Sequence, residues 1–290
     1  MSSAAAFLDP PPLAFAHRGG AASGDENTLA AFARAVALGY RYVEMDVRAT
    51  ADGVPVVFHD PTLLRMTGRP EPVAALRWAD LACVRVAGEA AIPRLDEVLG
   101  GWPAVRFNIE VKTDDATAAT VAAVRRTAAG GRVLLASFDD ARLAALRAAV
   151  GPHVATSLAT REVARLWWAS RRWRPTGWPR AGRGGRGDRG VRDDQDGPTA
   201  TGPARRLPRL APGAVAVQVP LRFRGLPVVD RRLVDFAHQL GLQVHVWTVD
   251  CPDLMRDLLD LGVDGIMTDH VEVLRDVYLS RGHWPGDRPA

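Results

Sequence analysis

Four short polar clusters carry the residue types that do chemistry: His17-Arg18-Gly19-Gly20, Glu44-Met45-Asp46, His59-Asp60 and Glu110-Val111-Lys112. Each sits at a strand-like position. Side chains two apart on a strand share a face, so Glu44 pairs with Asp46 and Glu110 with Lys112. Three carboxylates gathered at one rim repel one another and are costly to desolvate. A divalent cation resolves this, and an oxygen-only set suits Mg2+ or Ca2+ rather than zinc. Pairing with Arg18, Arg48 and Lys112 would also resolve it, and the two arrangements can coexist. His17 and His59, beside such a cluster, are suited to general acid and base work near neutral pH. Asp60 could orient the imidazole before it, and the Arg18 guanidinium suits phosphate oxygens. Lys112 is the only lysine in the chain. An ammonium kept where every other basic side chain is Arg points to a tight phosphate or metal contact that a guanidinium cannot make.

The elements that must position these groups are legible as a pattern. Apolar runs of strand length alternate with amphipathic stretches. The strands expected are Leu13–His17, Arg41–Val47, Ala104–Lys112, Arg132–Ser137, His153–Leu158, Ala214–Val219, Gln243–Val249 and Asp264–Thr268. Helices are expected over Thr28–Leu38, Thr117–Ala129, Asp140–Val150, Arg161–Ser170, Asp230–Gly241 and Pro252–Gly262. Asp230 and Asp253 read as N-terminal caps, and Gly39, Gly130, Gly241 and Gly262 as C-terminal stops. Eight strand–helix units predict an α/β chain folded as a (β/α)8 TIM barrel, with its polar strand ends converging at one rim.

The chain has 290 residues, enough for one such domain with a core over about residues 13–280. Two segments interrupt the alternation. Residues 60–102 read as a small insertion after the second strand, with Val54–Phe58 as an extra short strand before it and Ile92–Leu99 leading into a helix. Residues 171–212 read as a disordered Arg/Gly/Pro-rich insertion between strands 5 and 6. From Arg161 to Pro212 there are 13 Arg against 5 acidic residues, so the net +4 arises there and the rest of the chain is mildly acidic. Such a segment could bind nucleic acid or anionic lipid; the reading adopted is a solvated insertion, with no nucleic-acid partner. No apolar run approaches the roughly 18–20 residues of a membrane span. Met1–Pro12 carries no secretory pattern, which predicts a cytoplasmic protein and leaves contact with a membrane surface open. Cys83 and Cys251 read as two reduced core thiols.

The ordered set Ala16-His17-Arg18-Gly19-Gly20, Glu26-Asn27-Thr28, Glu44-Met45-Asp46-Val47, Asp52-Gly53 and His59-Asp60 resembles the glycerophosphodiester phosphodiesterase family. The order continues with Ile92-Pro93, Leu95-Asp96-Glu97-Val98-Leu99, Glu110-Val111-Lys112, Ser137-Phe138, Trp247-Thr248-Val249 and Thr268-Asp269. The resemblance implies a TIM barrel that splits glycerophosphodiesters into an alcohol and glycerol 3-phosphate. It implies Glu44, Asp46 and Glu110 as ligands of Ca2+ or Mg2+, and His17 and His59 as the acid–base pair. Arg18 and Lys112 would hold the phosphoryl group, and Trp247 would line the alcohol side. The alternatives are a lysophospholipase D-type activity, or a non-catalytic barrel that binds polyanions through its Arg-rich segment.

Overall fold

The computed structural model describes residues 3–173 and 209–287. Strands β1 (Leu13–Ala16), β2 (Tyr42–Ala49) and β3 (Pro55–Val57) open the sheet. The short strands β4 (Arg85–Val86) and β5 (Ala90–Ala91) pair only with each other. The sheet resumes with β6 (Arg106–Val111), β7 (Val133–Ala136), β8 (Ala155–Ser157) and β9 (Ala214–Pro220). A hairpin of β10 (Arg222–Phe223) and β11 (Leu226–Pro227) follows, then β12 (Gln243–Trp247) and β13 (Gly265–Thr268). Strands β1, β2, β6, β7, β8, β9, β12 and β13 run parallel in that order, and β1 also pairs with β13, which closes the barrel. These are the eight strands expected, each end within two residues. They read as continuous apolar runs because a parallel sheet is covered on both faces.

Helices α1 (Leu29–Ala37), α4 (Leu95–Gly101), α5 (Asp115–Arg126), α6 (Asp140–Val150) and α7 (Thr160–Arg172) precede residue 174 in the outer ring. The ring continues with α8 (Arg231–Gln239), α9 (Pro252–Leu261) and α10 (Val271–Ser280); the short α2 (Leu64–Thr67) and α3 (Trp78–Leu81) lie elsewhere. Their apolar faces form the main core with the outer face of the strands. Inside the barrel Phe15, Tyr42, Leu134, Ala155, Ala216 and Met267 make a second, smaller core. A turn of 3-10 helix at Ser3–Phe7 plugs the bottom, where Phe7 packs edge-on to Tyr42 at 5.5 Å.

Local signals explain most boundaries. Thr28 caps α1 by accepting from Ala31 N at 3.2 Å, and Asp230 caps α8 by accepting from Leu233 N at 2.9 Å. Asp253 is not a cap: Cys251 takes that position and Pro252 opens α9. Gly130 falls in a 3-10 turn beyond α5 rather than at its stop. The helix α10 was not expected, and its start at His270 carries no side-chain cap that could announce it.

Within residues 60–102, α2, α3, β4 and β5 fold onto a separate cluster of Phe58, Leu63, Val73, Leu81, Val84 and Ile92. By contrast, α4 buries Leu95, Val98 and Leu99 in the main core. Strand β3 runs antiparallel to the end of β2, pairing Val47 with Val57, and so returns the chain to the rim at His59. The expected disordered insertion 171–212 lies outside the described residues over 174–208. Cys83 and Cys251 are both exposed, free thiols and not core residues. Among the described residues no helix is long and apolar enough to cross a membrane.

Candidate active site

The end of β1 turns sharply. Arg18, Gly19 and Gly20 take φ of 50°, 83° and 95° in succession. A Cβ on Gly19 would lie 2.6 Å from Phe32 Cδ1 and 2.9 Å from Ala31 Cβ, so only glycine fits this approach to α1. The left-handed Arg18 directs its N–H to Glu44 Oε2 at 3.1 Å. Its Nη1 donates to Glu26 Oε1 at 2.9 Å. Its Nε lies 3.1 Å from Asp46 Oδ2, an ion-pair contact, but no hydrogen bond satisfies that buried N–H. Arg18 is therefore held by the carboxylates of Glu44, Glu26 and Asp46.

Period-two alternation places Glu44 and Asp46 inward from β2, with Asp46 1% and Glu44 4% exposed. Asn27 grips Asp46 twice: Nδ2 donates to Oδ2 at 3.0 Å, and Oδ1 accepts from Asp46 N at 3.2 Å. Glu110 comes from β6, and Lys112 follows that strand. Lys112 Nζ bridges Asp46 Oδ1 at 2.9 Å and Glu110 Oε2 at 2.8 Å. One oxygen from each of Glu44, Asp46 and Glu110 lies within 4.8 Å of the others. Burial first, then the Asp46 charge, pushes Glu44 up to about 7. Burial opposes ionisation of Asp46 too, but Lys112 and Arg18 outweigh it and hold Asp46 below the usual range. Glu110 is raised, again chiefly by burial.

The cluster fits a hard divalent cation: its donors are all carboxylate oxygens, and two of the three carboxyls resist ionising without added positive charge. The expected ion network is formed by Arg18 and Lys112 only. Arg48 turns away to donate to the backbone oxygen of His59 at 2.8 Å, because β3 brings that carbonyl within its reach.

The two histidines flank the carboxylates. His17 Nδ1 lies 2.6 Å from Asp269 Oδ1, and its Nε2 lies 3.8 Å from Glu44 Oε2. Burial lowers the His17 pKa, but the Glu44 charge and the Asp269 hydrogen bond outweigh it and leave it raised. His59 Nδ1 lies 2.5 Å from Asp60 Oδ1. Burial lowers the His59 pKa, and Asp46 and Asp60 offset this only in part. Asp60 itself falls to about 2, first through its hydrogen bonds from Arg65.

Arg65 links the two sides. It donates to Asp60 Oδ2 at 2.6 Å, to Glu26 Oε2 at 2.9 Å and to Glu26 Oε1 at 2.6 Å. Glu26, 8% exposed, thus ties Arg18 to Arg65, and Arg65 ties that pair to the carboxylate holding His59. The pocket between these groups has a cavity volume of about 200 Å3 and opens to solvent. Its apolar side is Trp247, with Phe138 set edge-on at 5.5 Å. His245 is no part of this chemistry. It is fully buried below the pocket, burial pulls its pKa down to about 3, and it meets Gln243 Oε1 at 3.0 Å.

All eight residues singled out in the sequence come together at this rim. Asp269, Asn27, Glu26 and Arg65 were not assigned roles there. The first three lay inside recognised motifs, so their position was visible and their partners were not; Arg65 carried no signal.

Fold and rim together define a parallel (β/α)8 barrel with carboxylates, histidines and two cations gathered at the C-terminal ends of its strands. The comparisons narrow the class. The model of the glycerophosphoryl diester phosphodiesterase family matches residues 17–170 and 192–273, and the chain belongs to that family. It is 36% identical over 275 residues to a Mycobacterium tuberculosis protein named "Probable glycerophosphodiester phosphodiesterase 2", covering 94% of this chain and 93% of that one. A lysophospholipase D of Rattus norvegicus is 36% identical over 112 residues, covering 34% of this chain and 36% of its own. The fold matches a phosphodiesterase of Oleispira antarctica, solved with the product sn-glycerol-3-phosphate, with TM-score 0.66 at 20% identity, covering 92% of this chain and 96% of that one.

Proposed function

We propose that this chain hydrolyses glycerophosphodiesters to an alcohol and sn-glycerol 3-phosphate in cytoplasmic lipid and glycerol metabolism, with a Ca2+ or Mg2+ ion held by Glu44, Asp46 and Glu110. The observation that carries the reading is that His17 and His59, each with a carboxylate on its Nδ1, line one pocket with Glu44, Glu110, Arg18 and Lys112. A bound divalent cation supplies charge neutralisation at the phosphoryl oxygens. Arg18 and Lys112, which both line the pocket, hold and neutralise those oxygens. The glycerol 2-hydroxyl attacks phosphorus, a cyclic phosphate forms, and water opens it.

The proton traffic follows from the pKa directions. His59, lowered, is neutral near pH 7; Asp60 fixes its Nδ1, which leaves Nε2 to accept the proton of the attacking hydroxyl. His17, raised, is the protonated partner; Asp269 fixes its Nδ1, which leaves Nε2–H to protonate the leaving alkoxide. Two titratable groups pushed apart from a shared reference value of 6.5 divide the acid and base roles between them. In the second half-reaction the roles reverse: His17, now neutral, takes a proton from the attacking water, and His59 gives its proton to the 2-oxygen as the cyclic phosphate opens.

This fixes the sign of the pH dependence. His59 must be neutral, so activity is lost as pH falls through its lowered pKa. His17 must be protonated, so activity is lost as pH rises through its raised pKa. A plot of kcat/KM against pH is expected to be bell-shaped with its plateau spanning 6.5. A profile that climbs steadily from about pH 5 to about pH 9 would remove the assignment.

The test of the reaction is glycerol 3-phosphate release from glycerophosphocholine, with EDTA and then with Ca2+ or Mg2+ restored. Release abolished by EDTA and restored by one ion supports the reading and names the ion. No release with either ion from folded protein moves the reading to lysophospholipids. The exposed Phe138 beside Trp247 favours that second reading, because it offers an apolar wall to an acyl chain. Failure there too leaves a polyanion-binding barrel.

A further inference from the structure

The most exposed large apolar side chains among the described residues are not scattered. Leu226 is 65% and Phe223 60% exposed, and both sit on the β10–β11 hairpin. That hairpin leaves the barrel where β9 ends. Pro220 is in register with Trp247, so the next residue departs from the same rim as the pocket. Its base is anchored: Val228 N donates to Leu221 O at 2.9 Å, and both side chains pack on the main core. Its tip turns through two left-handed residues, Arg224 at φ 49° and Gly225 at φ 82°. Turns of that kind favour Asn or Asp before Gly, because a longer L side chain is strained there. Here the position holds an arginine, whose guanidinium lies 5.5 Å from the Phe223 ring. Arg222 Nη1 donates to Gly225 O at 3.1 Å across the turn. Between Leu221 and Pro227 there is no acidic residue.

We propose that this hairpin docks the mouth of the pocket onto an anionic lipid bilayer, with Phe223 and Leu226 entering the headgroup–acyl boundary and Arg222 and Arg224 meeting lipid phosphates. An aromatic and an aliphatic tip interleaved with cations is the chemistry that such a boundary selects. The chemistry of the tip fits lipid better than protein. A stable protein interface takes about 800 Å2 from each partner, far more than four side chains on a two-residue turn present. Docking is independent of turnover, so it is tested apart from the proposed reaction.

The experiment uses the full chain and vesicles of phosphatidylcholine with and without phosphatidylglycerol. Sedimentation reads binding, and hydrogen exchange reads where it occurs. The wild type is expected to bind the phosphatidylglycerol vesicles and to show slowed exchange over residues 221–228. F223S/L226S and R222Q/R224Q are each expected to bind at least about tenfold more weakly, since either the apolar or the charged contribution is lost. Both are expected to keep the wild-type Tm and wild-type turnover of soluble glycerophosphocholine. Added salt should weaken wild-type binding and change that of R222Q/R224Q less. Equal binding by wild type and both variants overturns the proposal. So does protection confined to residues 161–212, which would assign the vesicles to the Arg-rich segment. A wild type that binds no vesicle, or a concentration-dependent dimer abolished by F223S/L226S, overturns it as well.

Discussion

Turnover of glycerophosphocholine falls by about 100- to 10,000-fold in His17→Ala, the range spanned by loss of one positioned proton donor. The cation site should survive the change. His17 Nε2 stands 3.8 Å from Glu44 Oε2, beyond hydrogen-bond range, and Glu44 keeps its bond from the Arg18 N–H. Calorimetric titration with the activating ion should therefore give an affinity close to that of the wild type. KM should move little, because the loss falls on the transition state. Asp269 is left facing a void, but it retains its own anchor, its N–H donating to Asp250 Oδ1 at 2.9 Å. Wild-type turnover in this variant would exclude His17 from the chemistry. An equal loss of ion affinity would make it a support for the carboxylates instead.

Glu44→Gln should separate function from stability in the opposite way. Activity that EDTA abolishes should vanish, and ion affinity should drop by at least about 100-fold, beyond the 10- to 100-fold cost of losing an outer-shell partner. The ion-free protein should become more stable. Glu44 is raised from 4.5 to about 7 by burial and by Asp46, so the folded chain holds a proton that the unfolded chain has already released between those values. Stability from this group is fully present below the unfolded value and is lost as pH rises through about 7. At pH 8 the whole penalty applies, and glutamine removes it. Each kcal/mol regained raises Tm by about 2–4 °C in a chain of this size. Thermal melts at pH 8 in EDTA, and again with the activating ion, check both halves. The variant should melt higher without the ion and gain nothing from it. A lower ion-free Tm would mean that Glu44 is held by favourable pairing and not under strain.

The barrel was legible because its strands are buried on both faces and so read as unbroken apolar runs such as Leu13–Ala16 and Val133–Ala136. The primary site residues were legible because strand periodicity fixes which side chains share a face, as with Glu44 and Asp46. What the sequence withheld is contact between distant segments. Asp269 reaches His17 across 252 positions, and Arg65 reaches Glu26 across 39. No local pattern encodes either approach. The same limit misdirected Arg48, which looked like a partner for the carboxylates until β3 supplied a nearer acceptor in His59 O. The cysteines failed differently: residue type favours the interior on average, but Cys83 lies in an exposed turn after α3 and Cys251 at the exposed start of α9.

The solitary lysine makes the molecule a reporter of its own opening. A lysine-specific protease has one bond to cut, Lys112–Thr113, and that bond lies just past the end of β6 with the Lys112 side chain 13% exposed and tied to Asp46 and Glu110. Cleavage requires Lys112 to leave its bonds to Val47 O, Asp46 and Glu110, so the rate at which two fragments accumulate tracks the population with an opened rim. Any ion or phosphate ester that binds the closed rim withdraws molecules from that population and slows the cut by mass action. Ligand affinity at this rim can thus be read from a gel, without an assay of catalysis.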